Sequence, residues 1–227
     1  MLKDFISLIF PEVCLNCHTP RISGEEILCT KCLINLPKTR DYGYPDQEVL
    51  DKFVSCQMVN AAYSFLTFSK KGMVQKLLHH LKYEGNQAIG VSLGNWFGKE
   101  LTEQTDIAGH DVIIPVPLHK SKLRTRGYNQ SDCLAQGLSE SLKIDWDPDA
   151  IRRVKKTLTQ TKMGKVERWQ NVSNIFQVIN SEKILDKQVL VVDDVITTGA
   201  TLNACVRAIE GAGASSIGVL VLAKADH

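Results

Sequence analysis

One segment constrains this chain more than any other: Val189, Leu190, Val191, Val192, Asp193, Asp194, Val195, Ile196, Thr197, Thr198, Gly199, Ala200, Thr201. Its first four residues are apolar and mostly β-branched, which predicts a strand over 189–192 that is buried on both faces, as strands of parallel sheets are. The strand delivers two carboxylates at its C-terminal end. Small and hydroxylated residues follow and open a helix predicted over 200–211. Backbone N–H groups at a helix N-terminus attract an anion, small side chains let it approach, and hydroxyls add donors. Paired carboxylates accept hydrogen bonds from a vicinal diol. A phosphate cradle beside a diol acceptor describes a site for a ribose 5-phosphate group.

Three other phosphate or acidic motifs do not fit. No G-x-x-x-x-G-K-[ST] loop is present, and Gly94, Gly98 and Lys99 only approximate one inside an ordinary helix. The three spaced glycines of a dinucleotide site are missing. A phosphoacceptor receiver domain also carries Asp-Asp after an apolar strand, but only 33 residues follow Asp194.

The surrounding pattern supports an α/β fold. Strands are predicted at 58–68, 112–114, 151–154, 189–192 and 217–222, and helices at 73–83, 87–103, 128–142 and 200–211. Apolar strands alternating with helices indicate a parallel sheet covered on both faces. Leu2, Phe5, Ile6 and Ile9 have helical spacing and predict a short amphipathic docking helix, while residues 38–52 read as a linker or exposed loop. A separate small unit is expected at 1–40, and the larger domain at 53–227. No apolar run approaches the roughly 20 residues of a membrane span, and no secretory signal is legible, so a cytoplasmic protein without membrane insertion is expected. The net charge of +2 excludes a uniformly basic chain but leaves room for a basic patch.

Four of the seven cysteines are clustered as Cys14-x-x-Cys17 and Cys29-x-x-Cys32. Two thiolates two residues apart bite one metal through a tight turn, and two such turns complete a tetrahedral four-sulfur site suited to zinc. An iron–sulfur cluster takes the same ligand set. A segment this short and this poor in apolar residues needs a metal in place of a core, so the role is structural. His18, Cys56, Cys133 and Cys205 are not expected as ligands.

After the strand at 112–114 come Lys120, Lys122, Arg124 and Arg126, then Gly127-Tyr128-Asn129-Gln130. Ligands of open α/β sheets bind beyond the C-terminal ends of strands, so this basic loop and the Asp-Asp loop should face one pocket. A diphosphate needs such cations and a helix N-terminus. Residues 155–173 are polar and basic and lie between two strands, a pattern of lids and of disorder alike.

The Asp-Asp-Val-Ile-Thr-Thr-Gly-Ala-Thr stretch resembles the phosphoribosyl diphosphate (PRPP) signature of type I phosphoribosyltransferases. The resemblance implies that Asp193 and Asp194 hold the ribose hydroxyls. Val195, Thr197, Thr198, Gly199, Ala200 and Thr201 would then wrap the 5-phosphate. Residues 157–168 are similar to the closing loop of amidophosphoribosyltransferases, which implies diphosphate contacts from Thr157, Gln160 and Arg168. The cysteine pairs, Leu81-Lys82-Tyr83-Glu84-Gly85, Pro115-Val116-Pro117 and Arg126-Gly127-Tyr128-Asn129-Gln130 complete a pattern that resembles the ComF family. That resemblance implies a type I phosphoribosyltransferase-like domain behind a zinc module, binding PRPP with magnesium and linked to uptake of transforming DNA together with other competence proteins.

Whether phosphoribosyl transfer occurs is left open by the sequence, as are the acceptor and the oligomeric state. No convincing base is found: His79 and His80 read as helix-surface residues, and Glu84 and His119 are weak candidates. The alternative is a non-catalytic module for single-stranded DNA, with the basic loop on the backbone and Tyr83, Tyr128 or Trp169 stacked on bases.

Overall fold

The computed structural model describes residues 11–39, 44–104, 107, 109–154 and 175–225. The amphipathic segment at 2–9 and the stretch carrying Thr157, Gln160, Arg168 and Trp169 lie outside them.

In chain order the helices are α1 (Thr30–Ile34), α2 (Gln47–Leu50), α3 (Met73–Tyr83), α4 (Ala88–Gln104), α5 (Lys120–Arg126), α6 (Gln130–Leu142) and α7 (Ala200–Gly211). The strands are β1 (Val59–Phe68), β2 (Val112–Pro115), β3 (Ile151–Arg153), β4 (Phe176–Val178), β5 (Gln188–Ile196) and β6 (Ser216–Ala225). Among the described residues, four strands form a wholly parallel sheet in the order β1-β6-β5-β2. The predicted strand near 151 is not part of it. It pairs antiparallel with β4 in a separate two-stranded ribbon.

The apolar runs of the strands supply both faces of the sheet, because successive side chains point to opposite sides. Ile113, Leu190, Val192, Leu220 and Leu222 join one cluster with Leu77, Leu81, Leu93, Phe97, Leu134 and Leu138 of α3, α4 and α6. Ile114, Val189, Val191, Val219 and Val221 join the other with Leu202, Cys205, Val206 and Ile209 of α7 and with Val49 and Phe53. On α3 the buried residues Val74, Leu77, Leu78 and Leu81 follow the 3.6-residue period that predicted the helix.

The cysteine segment packs on the first of these faces. Cys14, Ile27, Leu28, Cys29, Cys32 and Leu36 belong to the same cluster as Phe65 and Leu77. The chain leaving the segment then adds to the free edge of β1: Thr39 N–H donates to Phe65 C=O at 2.9 Å, and Thr67 N–H donates to Pro37 C=O at 2.8 Å. The opposite edge, β2, is covered by residues 145–147 through Ile113 N–H to Asp145 C=O and Asp147 N–H to Ile113 C=O.

Helices α4 and α6 meet backbone to backbone. A Cβ at Gly94 would stand 2.3 Å from the Leu134 carbonyl oxygen, and one at Gly137 would stand 2.1 Å from that of Val91. The glycines that imitate a phosphate loop in the sequence are thus a packing stripe. Gly94→Ala should destabilise the protein by about 1–3 kcal/mol, as overpacking does. Gly211→Ala, where nothing lies within 4 Å of the new carbon, should be neutral or stabilising. Urea midpoints of the two variants check this contrast.

Candidate ligand-binding site

A cleft of about 220 Å³ opens at the C-terminal ends of β2 and β5. Pro115 of β2 lies in register with Val192 of β5, so the loops that follow the two strands emerge side by side. Val116, Pro117 and Leu118 form one wall, and residues 193–202 form the other. Asn129 fixes the first wall. Its amide donates to Val116 C=O at 3.1 Å and to the Asp132 carboxylate at 2.6 Å.

The acidic pair sits inside β5 rather than beyond it. The strand is longer than its apolar run predicts, because β6 continues alongside and pairs Asp193 with Val221 and Ile196 with Lys224. Asp193 Oδ1 accepts from Ser131 Oγ at 3.1 Å and from the Asp194 N–H at 2.9 Å. Burial, with the charge of Asp194 second, pushes the Asp193 carboxyl up to about 7. Asp194 Oδ2 is paired with Lys82 Nζ at 2.5 Å.

Thr197, Thr198, Gly199, Ala200 and Thr201 all line the cleft, as does Val195. Gly199 adopts φ +75°, a conformation open to glycine without strain, and stands at the N-cap of α7. The turn therefore brings backbone N–H groups of the first helical turn to the cleft, groups that have no acceptor within the helix itself.

The expected basic loop is a helix. His119 caps α5 by accepting from Ser121 N–H, and Gly127 ends it at φ +85°. Residues four apart share a helix face, so the cations divide into two pairs. Lys122 and Arg126 line the cleft. Lys120 and Arg124 are exposed and are not among the lining residues. Thr157, Gln160 and Arg168 fall outside the described residues.

Four polar residues of the cleft were assigned no site role from the sequence, although Lys82 and Gln130 belong to the family-like segments: Lys82, Gln130, Ser131 and Arg153. Gln130 and Ser131 directly follow the Arg-Gly-Tyr-Asn segment, which was the signal available for them. Gln130 is almost wholly buried, and its side-chain nitrogen has no hydrogen-bond partner among the described residues. Arg153 ends β3 with its guanidinium 5.5 Å from the Phe176 ring centroid. Burial holds it below its ordinary range, while Asp193 counteracts that effect.

The second candidate centre is the cysteine cluster. The sulfurs of Cys14, Cys17, Cys29 and Cys32 all lie within 4.8 Å of one another, so the group can hold a metal ion. Cys17 and Cys29 are 3.6 Å apart. Four sulfurs at about 2.3 Å from zinc form a tetrahedron with edges of about 3.8 Å, which this cluster approaches. Asn16 supports it by donating its amide to Cys32 Sγ at 3.3 Å.

A family profile described as "Phosphoribosyl transferase domain" matches residues 134–227. Competence protein F of Haemophilus influenzae is 40% identical over 116 residues, spanning 51% of this chain and 51% of that protein. DNA utilization protein YhgH of Escherichia coli K12 is 27% identical over 234 residues, 96% of this chain and 99% of the relative. Competence protein ComFC of Streptococcus pneumoniae is 22% identical over 210 residues, 89% and 90% of the two chains. The fold described above is that of a type I phosphoribosyltransferase, a parallel sheet with helices on both faces behind a four-cysteine segment. Among the described residues no helix is long and apolar enough to cross a membrane.

The raised Asp193 carboxyl makes stability depend on pH in a defined direction. An unfolded aspartate titrates near 3.9, so between about 4 and about 7 the folded state keeps a proton that the unfolded state has lost. That stabilising contribution is complete below about 4 and disappears as pH rises through about 7. Asp193→Asn cannot lose the proton. It should therefore raise the melting temperature at pH 8 relative to wild type, and the difference should shrink toward pH 5. Thermal melts of both proteins across that range check it.

Proposed function

This chain belongs to the ComF family of phosphoribosyltransferase-like proteins, and on that premise we propose that its cleft binds PRPP with magnesium. The observation that carries the reading is the convergence of three chemistries on one cleft. The half-buried acidic pair, the hydroxyl-bearing turn at the start of α7 and cations from other elements all line it. Asp193 and Asp194 accept hydrogen bonds from the ribose hydroxyls. Residues 195–201 take the 5-phosphate through backbone N–H groups and threonine hydroxyls. Lys122 and Arg126 neutralise the diphosphate from the α5 side, and Arg153 adds charge from the β3–β4 ribbon. Ser131 keeps Asp193 aimed by donating to its Oδ1. Magnesium fits this donor set because it prefers oxygen ligands and is held largely through substrate phosphates. It would supply charge neutralisation at the diphosphate, with the acidic pair as the protein's carboxylates.

In the same reading the four cysteines hold one zinc in a structural role. Their packing into the cluster that carries Phe65 and Leu77 ties the ion to the main core. The relatives named for competence and for DNA utilization support a place for this protein in the uptake or processing of transforming DNA. Contact with a single DNA strand is a second reading, favoured by Lys120 and Arg124, which stand exposed on α5.

Metal analysis of protein purified without chelator should find one zinc per chain. Cys14→Ser should lower that content and reduce thermal stability, while a metal-free protein with all thiols titratable would exclude the assignment. For the cleft, PRPP and magnesium should be titrated calorimetrically into wild type and into Asp193→Asn/Asp194→Asn. An amide offers one accepting oxygen and turns an NH₂ toward the other hydroxyl. Loss of a charge-assisted hydrogen bond costs about 1.5–3 kcal/mol, so affinity should fall about tenfold or more. Absence of binding to wild type at millimolar PRPP overturns the reading. Single-stranded DNA binding that falls steeply with salt, and is indifferent to the aspartate changes, would then favour the second one.

A further inference from the structure

Each residue of the segment Leu81-Lys82-Tyr83 is tied to the chain in or next to the cleft walls. The Tyr128 hydroxyl donates to the Leu81 carbonyl. The Lys82 ammonium pairs with Asp194. The Arg126 guanidinium lies over the Tyr83 ring, 5.6 Å from its centroid. Helix α3 holds this segment firmly through Val74, Leu77, Leu78 and Leu81, all buried in the core. The sequence distinguishes the segment only as part of a family pattern, and the PRPP reading assigns it nothing.

Lys82 differs from the other cations of the cleft in being paired with the acidic residues themselves. Its side chain is 24% exposed and that of Asp194 is 15% exposed, so the ion pair is largely withdrawn from water. An ammonium has three N–H donors. Among the described residues its ion-pair partner is Asp194, which takes one donor, and the residue lines the open cleft. A group that touches a ribose-binding carboxylate and still has donors facing the cleft is placed to join the sugar site to an anion beside it.

We propose that Lys82 contacts the diphosphate of the ligand and makes the cleft select a diphosphorylated ribose over ribose 5-phosphate. The inference rests on the PRPP reading above. Asp194 orients the ammonium, and the diphosphate oxygens accept its remaining N–H groups. Ribose 5-phosphate lacks those oxygens and gains little from Lys82.

The test is calorimetric titration of PRPP and of ribose 5-phosphate, each with magnesium, into wild type, Lys82→Met and Lys82→Arg. Lys82→Met should weaken PRPP about tenfold or more, as expected for a lost charge-assisted hydrogen bond. It should weaken ribose 5-phosphate markedly less, because that ligand loses only the support Lys82 gives to Asp194 and no diphosphate contact. Lys82→Arg should restore part of the PRPP affinity. Equal losses for both ligands would make Lys82 only a positioning residue for Asp194 and overturn the proposal, as would no loss for either. Thermal melts verify folding, and Lys82→Gln provides the same comparison if the methionine variant does not fold. Wild type that binds neither ligand defeats the PRPP reading and this inference with it. Wild type that binds both, with Lys82→Met unchanged, defeats the inference alone.

Discussion

Strand β5 is the constraint on which the rest of the molecule depends. It lies between β6 and β2, with side chains buried against helices on both faces of the sheet. From Val189 to Val192 it has no room for a polar group. Its hydrogen-bonded ladder with β6 nevertheless continues to Ile196. The two aspartates are therefore held by regular sheet geometry where the strand reaches the cleft. A carboxylate pair placed on a free loop would lack that rigidity.

The second wall of the cleft is fixed by a different kind of contact. Helix α6 supplies Gln130 and Ser131 from its first turn, and its position is set by the glycine contact with α4. Any side chain at Gly94 or Gly137 would push the helices apart and shift Ser131 relative to Asp193. A packing stripe on one side of the sheet thus controls a hydrogen bond in the cleft.

The sequence made the strands and most of the helices legible because their burial is periodic. Val74, Leu77, Leu78 and Leu81 could hardly be read otherwise, and the unbroken apolar run before Asp193 has few alternatives to a doubly covered strand. The four-cysteine spacing was equally direct, since the chelate geometry is local. Two kinds of feature escaped. The charged segment from Lys120 to Arg126 has no apolar period, so it reads as a loop, although His119 and Gly127 cap a helix there. Lys82 and Arg153 reach the cleft through tertiary contacts that no local pattern announces. Their neighbours in sequence serve other purposes: Leu81 is core, and Ile151 belongs to the cluster that carries the buried face of α7.

The backbone pairing between residues 37–39 and β1 has a consequence for how the protein fails. β1 is an edge strand, and its Phe65 carbonyl and Thr67 amide are satisfied by the chain that leaves the cysteine segment. An edge strand stripped of such a cover is a template for pairing with another molecule. Release of the cysteine segment would expose this strand along with apolar surface around Phe65 and Leu66. Loss of order at the sulfurs would thus turn a local change in the cysteine segment into an exposed strand edge, the kind of edge from which intermolecular sheets grow.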